Sequence, residues 1–274
     1  MRASPLSYPT VVSSFARLLV AVVTVATVAD AQAGTSQAVG RSRAPIPPFS
    51  AFWVSTGTLL MDVNRLNPHF ERLDLAQADR PGFYTLSNDG YSVGIGGYGP
   101  VTGRILLGGE WNSANMGEES SPTGKTNAIS TRYWMGTLGF AAWTNWRINV
   151  IPFAGVGLGK VKLTLRSRDG GATVPGTQDP TFDEIIMSPG SSSVIDGSYV
   201  MVQPGVAVDF LVLNQDSQTL GLTLGLRLSS VLSPNRTSWT YQGREVFGGP
   251  DTGPVGGSIK VILGVAGFRM GGSR

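Results

Sequence analysis

The sequence predicts an all-β fold: eight strands closed into an antiparallel up-and-down β-barrel, with short turns at one end and four long loops at the other. Three observations carry that expectation. Eight stretches alternate apolar with small or polar residues, a period of two that belongs to strands. Their connections alternate long and short along the chain. Composition also departs from that of a water-soluble domain: charged residues make up 14% of the sequence, against ~25% in ordinary globular proteins. The 37 glycines are about twice the usual share. Together these features describe strands with one face in lipid and the other packed into a narrow interior, the pattern of a small transmembrane barrel in a bacterial outer membrane.

Residues 1–31 read as a cleaved signal peptide. Arg2 and Arg17 precede the apolar run from Leu18 to Val28, and Ala29, Asp30 and Ala31 form a small-x-small cleavage site, with Ala31, Gln32 and Ala33 as an alternative two residues later. The run is shorter than the ~20 residues a spanning helix needs. Residues 32–50, with Pro45, Pro47 and Pro48, read as an extended periplasmic lead-in. The barrel is expected over 51–270, with strands at 51–63, 90–98, 103–112, 131–143, 148–163, 199–212, 220–228 and 257–270, and 271–274 as a C-terminal overhang.

The strand at 220–228 is the clearest. Leu220, Leu222, Leu224, Leu226 and Leu228 share one face, and Gly221, Thr223, Gly225 and Arg227 the other. Residues 199–212 and 103–112 repeat the pattern, but in 148–163 the parity changes after Gly159, where Val161 and Leu163 take over from Val156 and Leu158. A bulge, or a strand projecting beyond the membrane, accounts for this. Pro152 and Pro204 are expected at local bulges or missing bonds, because proline cannot donate to a ladder. A soluble barrel also alternates, but its polar face would be rich in Lys, Glu, Asp and Gln. Here that face is mostly Gly, Ala, Thr and Ser.

The gaps at about 64–89, 113–130, 164–198 and 233–256 are long and polar, and those near 99–102, 144–147 and 213–218 are short. Outer-membrane barrels have short periplasmic turns and longer external loops, so both termini are expected in the periplasm. Trp53, Trp111, Trp134, Trp143 and Trp146 fall at or near strand ends and are expected to form an interfacial aromatic belt.

On these patterns, together with Pro152 to Gly159 and Gln203 to Asp209, the chain from about 51 to 270 resembles the small eight-stranded outer-membrane β-barrel proteins of OmpA/OmpX type. The two segments resemble that family's fifth and sixth strands. The resemblance implies an eight-stranded transmembrane barrel and recognition by the barrel assembly machinery. Family barrels usually end on an aromatic, whereas Phe268 is followed here by six residues.

Chemical motifs are sparse. Gly94, Gly96 and Gly99 match the spacing of a dinucleotide fingerprint, but a turn and another strand follow where a helix N-terminus is needed. Residues Gly124, Lys125 and Thr126 end like a phosphate-binding loop, yet Glu119 stands where its leading glycine belongs. Without cysteine and with His69 as the one histidine, neither a disulfide framework nor a transition-metal site is expected, and no cofactor is. A net charge of +3 does not suggest nucleic acid. His69 lies in the first long loop, as does a histidine of the similar-sized lipid A palmitoyltransferase barrel. That family's aspartate and serine partners in the second loop reduce here to Ser113, Ser120 and Ser121, with Glu118 and Glu119 but no aspartate.

The inward charges Glu110, Arg227, Arg104, Asp209 and Lys260 are expected to form a barrel-interior network, Glu110 level with Arg227 and Arg104 level with Asp209. An unpaired charge there would be expensive. The functional expectation is a non-enzymatic outer-membrane protein with a structural or surface-interaction role. Its expected partners are outer-membrane lipid and lipopolysaccharide. The alternatives are a narrow channel or small-solute carrier, and a lipid-modifying barrel enzyme using His69.

Overall fold

The computed structural model describes residues 49–61, 63, 66–68, 70–71, 86, 89–102, 104–120, 124–145, 147–167, 181–187, 191–214, 220–234, 237–250, 253 and 255–267. The expected signal peptide, nearly all of the lead-in, His69, Trp146, Phe268 and the C-terminal overhang lie outside them.

Eight strands close into an antiparallel barrel: β1 (Phe49–Leu60), β2 (Asp89–Thr102), β3 (Ile105–Ser120), β4 (Lys125–Phe140), β6 (Ile148–Ser167), β7 (Ser192–Asn214), β8 (Leu220–Val231) and β11 (Gly256–Gly267). Each pairs with its neighbours in chain order, and β11 returns to β1. Three short strands complete the sheet: β5 (Trp143–Thr144) beside β6, and the hairpin of β9 (Ser238–Tyr241) and β10 (Arg244–Val246). Positive φ at Gln242 (52°) and Gly243 (80°) makes the hairpin's tight turn.

Register partners give the stagger of the barrel. From Val54 one path runs through Ile95, Trp111 and Trp134 to Leu158 of β6. The other runs through Leu263, Leu224 and Phe210 to Ile148 of the same strand. The two arrivals differ by ten residues. With ~3.3 Å per residue and ~4.8 Å between strands, this stagger over eight strands gives a tilt of about 41° and a backbone radius of about 8 Å.

Parity sorts the side chains. On β8, Thr223, Arg227 and Ser229 are buried inside, whereas Leu224, Leu226 and Leu228 are exposed outside. The outer faces of the neighbouring strands continue this band with Ile259, Val261 and Leu263 of β11, Val54 of β1 and Val93 and Ile95 of β2. Inside, one apolar cluster gathers Trp53, Tyr98, Leu106, Ile151, Phe153, Ala207 and Ile262 towards the short-turn end. A larger one fills the end that carries the long connections.

The strands differ greatly in length, from 12 residues in β1, β8 and β11 to 20 in β6 and 23 in β7. Much of the second expected loop, 113–130, is therefore strand, because β3 and β4 run on to Ser120 and Lys125. Gly117, at φ 90°, sits at the register shift between Asn115 and Glu118 and lets β3 bulge there.

Strand β6 contains no bulge. Its pairing with β4 and β7 is continuous, so inner and outer residues alternate throughout, although Pro152, of outer parity, is also buried. What changes after Gly159 is the chemistry of the two faces. Below it, Gly155 and Gly157 point in and Val156 and Leu158 out; above it, Val161, Leu163 and Leu165 point in and Lys160 and Lys162 out. Nor do the prolines make bulges in the β6–β7 ladder, where Pro152 pairs with Val206 and Pro204 with Ala154. Val202 exchanges bonds with Leu232, so Pro204, two residues on, turns its nitrogen to the same side, just beyond the start of β8 pairing at Gly205. Pro152 likewise faces the seam between the end of β4 pairing at Phe153 and the start of β5 pairing at Val150. The missing donor of Pro152 falls where no ladder runs, whereas that of Pro204 falls between the Val202–Leu232 bridge and the Gly205–Ser229 pair of the same register and leaves the expected missing bond there.

Inner glycines make room for bulky neighbours. A Cβ at Gly159 would collide with the Tyr199 ring, whose hydroxyl is bonded to Thr131 Oγ1 at 2.5 Å. Replacing Gly159 by Val should therefore destabilise the barrel by ~1–3 kcal/mol through overpacking. Gly136→Ala, where a Cβ meets nothing within 4 Å, should leave stability nearly unchanged. Urea unfolding of both variants in detergent micelles checks the contrast.

Candidate functional site

Among the described residues the interior holds four buried ionic side chains, two acids and two bases: Glu110 on β3, Asp209 on β7, Arg227 on β8 and Lys260 on β11. Arg227 and Lys260 are direct cross-strand partners. Like charges in that position repel. Glu110 resolves the repulsion from the far wall, since β8 lies four strands from β3 in either direction round the barrel.

Arg227 Nη1 donates to Glu110 Oε2 at 2.7 Å. Lys260 Nζ donates to Glu110 Oε1, to Asn112 Oδ1 (2.7 Å) and to Tyr133 Oη (2.8 Å), which uses all three of its protons. Asn112 Nδ2 also donates to Glu110 Oε1. The remaining guanidinium nitrogens, Nε and Nη2, make no hydrogen bond. They lie among aromatic faces instead, with Arg227 Cζ 3.9 Å from the Trp53 ring centroid, 4.8 Å from Tyr98 and 5.3 Å from Phe153. Such cation–π contacts strengthen when water is excluded.

Asp209 takes hydrogen bonds from Ser50 Oγ (2.8 Å) and Ser50 N (3.4 Å), and Ser50 Oγ also meets Thr223 Oγ1 at 2.8 Å. This ties the start of β1 to β7 and β8. The expected partner of Asp209, Arg104, is elsewhere. It is exposed in the turn between β2 and β3, where its carbonyl accepts from Ala141 N at 2.8 Å. Chain reversal takes Arg104 out of the ladder whose parity would have aimed it inwards.

The aromatic belt also needs correction. Trp53 is fully buried inside the barrel. It shares β1 parity with Ser55 and Leu59, while Phe52 and Val54 face out. Its position near a strand end suggested the belt, but two-residue parity decides its face. Trp134 is 67% exposed and Trp143 50% exposed. Trp134 packs against Trp111 with its ring tilted, the centroids 6.2 Å apart. Asn112, Tyr133, Tyr98, Ser50 and Thr223 join the interior network unannounced by charge; strand parity places all but Ser50 on the inner face, and the register shift of β1 between Ser50 and Phe52 turns Ser50 inwards.

The long-connection end is closed by an apolar cap. From the β6–β7 connection, the helix Phe182–Met187 buries Phe182, Ile185 and Ile186 in the mouth. Thr181 and Glu184 form a capping box: Thr181 N donates to Glu184 Oε2 (2.9 Å) and Glu184 N to Thr181 Oγ1 (3.3 Å). Phe182 lies 5.3 Å from Trp239 of β9, ring centroid to centroid. The Trp239 indole N–H donates to Pro250 O at 2.7 Å. Met61, Val63, Leu66, Phe70 and Leu86 fill the cap from the β1–β2 connection. No group of three or more His, Asp or Glu that could hold a metal occurs among the described residues.

No protein-family model matches the sequence, and comparison with curated proteins gives no match. Among solved structures, the chain is similar to a major outer membrane protein from Thermus thermophilus, at 9% identity and a TM-score of 0.40, over 80% of this chain and 98% of that one.

Removing the shared carboxylate leaves two buried cations face to face. Glu110→Gln should therefore cost ~3–5 kcal/mol, and Lys260→Met less, because it leaves the Glu110–Arg227 pair intact. Guanidinium unfolding in micelles measures the order; equal costs would contradict a shared role for Glu110.

Proposed function

We propose that this chain is a non-enzymatic outer-membrane β-barrel protein, sealed to solutes, that acts through its external cap and outer surface. One observation carries the reading: the outer faces of all eight barrel strands expose large apolar side chains in a continuous band. An apolar surface of that extent on a water-soluble monomer would be an aggregation liability, whereas a lipid-facing barrel requires it.

The height of the band fits. Trp134 and Trp143 lie nine residues apart along β4 and its continuation, which at the tilt above is a rise of about 22 Å. Barrel bands of ~25 Å between aromatic girdles are usual. The inversion of β6 after Gly159 supports an external border at Trp134, since the strand there trades a lipid-facing for a water-facing exterior. The short turns and both termini then lie in the periplasm.

A sealed barrel follows from the filling. Asp209 with Ser50 and Thr223, the Glu110 cluster and the apolar cap occupy successive levels of a cylinder just wide enough for side chains. The working surface is thereby displaced to the outside, where lipopolysaccharide and surface partners are met and where the assembly machinery delivers the chain.

Expressed in a Gram-negative host, the full-length protein should fractionate with the outer membrane. Purified and added to planar bilayers, it should give no current above lipid background, and the lipid A mass spectrum of the host should be unchanged. Discrete conductance steps would establish the channel instead, and a new lipid A species would establish an enzyme.

A further inference from the structure

We propose that the outer face of β3, β4 and β6 binds a phosphorylated lipid of the external leaflet: Arg132 and Lys160 hold its phosphate, and an acyl chain lies in the groove below Trp111 and Trp134. The proposal rests on the outer-membrane reading and names a ligand class for that surface.

The headgroup side comes first. Ser113, Arg132, Lys160, Ser198 and Ser238 are successive register partners across five strands. All face outwards, directly above the row containing Trp111, Trp134 and Leu158. This row offers two cations and three hydroxyls and no carboxylate. Arg132 and Lys160 are opposite one another, so they repel unless an anion lies between them. The interior has the same arrangement in Arg227 and Lys260, and there Glu110 supplies the anion. Outside, neither Arg132 nor Lys160 makes an ion pair among the described residues. Of the nearby acids, Glu118 lies 3.9 Å from Arg166, and Asp196 stands on the next outward row, opposite Lys162. A cavity of about 680 Å³ opens beside Arg132, Lys160 and Ser198. A planar guanidinium beside an ammonium suits a phosphate.

The acyl side lies one step below. Gly109 and Gly136 are register partners, roofed by Trp111 and Trp134. They floor an apolar groove of about 540 Å³ that ends at Phe52 and Val156. Glycine weakens a strand and, where kept, often marks a close approach by another molecule. Chain packing does not demand it here, for a Cβ at Gly136 meets nothing within 4 Å and at Gly109 only Met135 O at 3.8 Å. The two cavities share Trp111, Trp134 and Leu158, so groove and cation pair are contiguous. The cation row favours a lipid over a second copy of the chain, because it carries no carboxylate to receive a partner's cations.

The test uses full-length protein extracted from Gram-negative outer membranes in mild detergent and weighed by native mass spectrometry. The wild type should retain one lipid A molecule. Occupancy should fall at least about tenfold in the double variant Arg132→Ser, Lys160→Ser, since charge-assisted hydrogen bonds are lost, and should also fall in Gly136→Leu, which fills the groove. Lys162→Ser, with its cation outside the row, should keep the lipid. Heat-dependent gel mobility confirms that each variant is folded. Delipidated wild type should rebind bisphosphorylated lipid A and not its dephosphorylated form. Equal occupancy in wild type and double variant, or equal rebinding of the two forms, overturns the site. So does loss of a dimer in Gly136→Leu with lipid retained, which would make the groove an interface between copies. A protein absent from the outer membrane altogether would refute the broader reading and not this site alone.

Discussion

Closing eight strands with a stagger of ten residues leaves a backbone cylinder about 8 Å in radius, and most of the molecule answers to that dimension. A cylinder so narrow has no room for bulk water beside full-sized side chains, so whatever points inwards must be packed and neutral in sum. Arg227 and Lys260 meet on adjacent strands, and only a carboxylate reaching from the opposite wall can sit between them. Glu110 thereby bonds distant parts of the wall to one another. Trp53, Tyr98 and Phe153 complete the guanidinium's surroundings with ring faces where no acceptor stands. Gly159 follows from the same shortage of space, since the ring of Tyr199 needs the volume its side chain would occupy.

The wall divides into two regimes along its length. On the lower part, apolar residues face out and small or ionic ones face in. On the upper parts of β4, β6 and β7 the inside is apolar, with Ile129, Val161, Leu163 and Ile195, and the outside is polar. A single strand such as β6 passes through both regimes without losing register. The upper regime is organised like a soluble domain with its core inside, closed by the Phe182–Met187 helix and the β9–β10 hairpin. Tall walls and a packed cap give the external end a defined surface, and the cation row lies where the regimes meet.

Much of this was legible in two-residue parity. Leu224, Leu226 and Leu228 against Thr223 and Arg227 told outside from inside, and the level of Glu110 matched that of Arg227. Parity was less useful where chemistry and geometry part. Beyond Gly159 the polar residues move to the outer face, so a continuous strand reads like a bulge or a loop, and the ends of β3, β4 and β6 were underestimated. Arg104 had the right parity for the interior but lies in a turn, where parity has no force. Trp53 had the residue type of a belt and the parity of a core, and parity decided its place. The capping box of Thr181 and Glu184 was readable in principle, but its docking on Trp239 depends on contacts between segments far apart in the chain.

An apolar band that faces lipid around a filled interior can be read residue by residue along β8. Because the chain has no cysteine, single cysteines placed along β8 can each carry a unique nitroxide in reconstituted bilayers. Labels at Leu224, Leu226 and Leu228 should collide with oxygen and be shielded from a water-soluble nickel chelate, while labels at Thr223 and Ser229 should be shielded from both. Nickel collisions at Leu224 and Leu226 as frequent as at the exposed hairpin residue Glu245 would show that water, not lipid, surrounds the band.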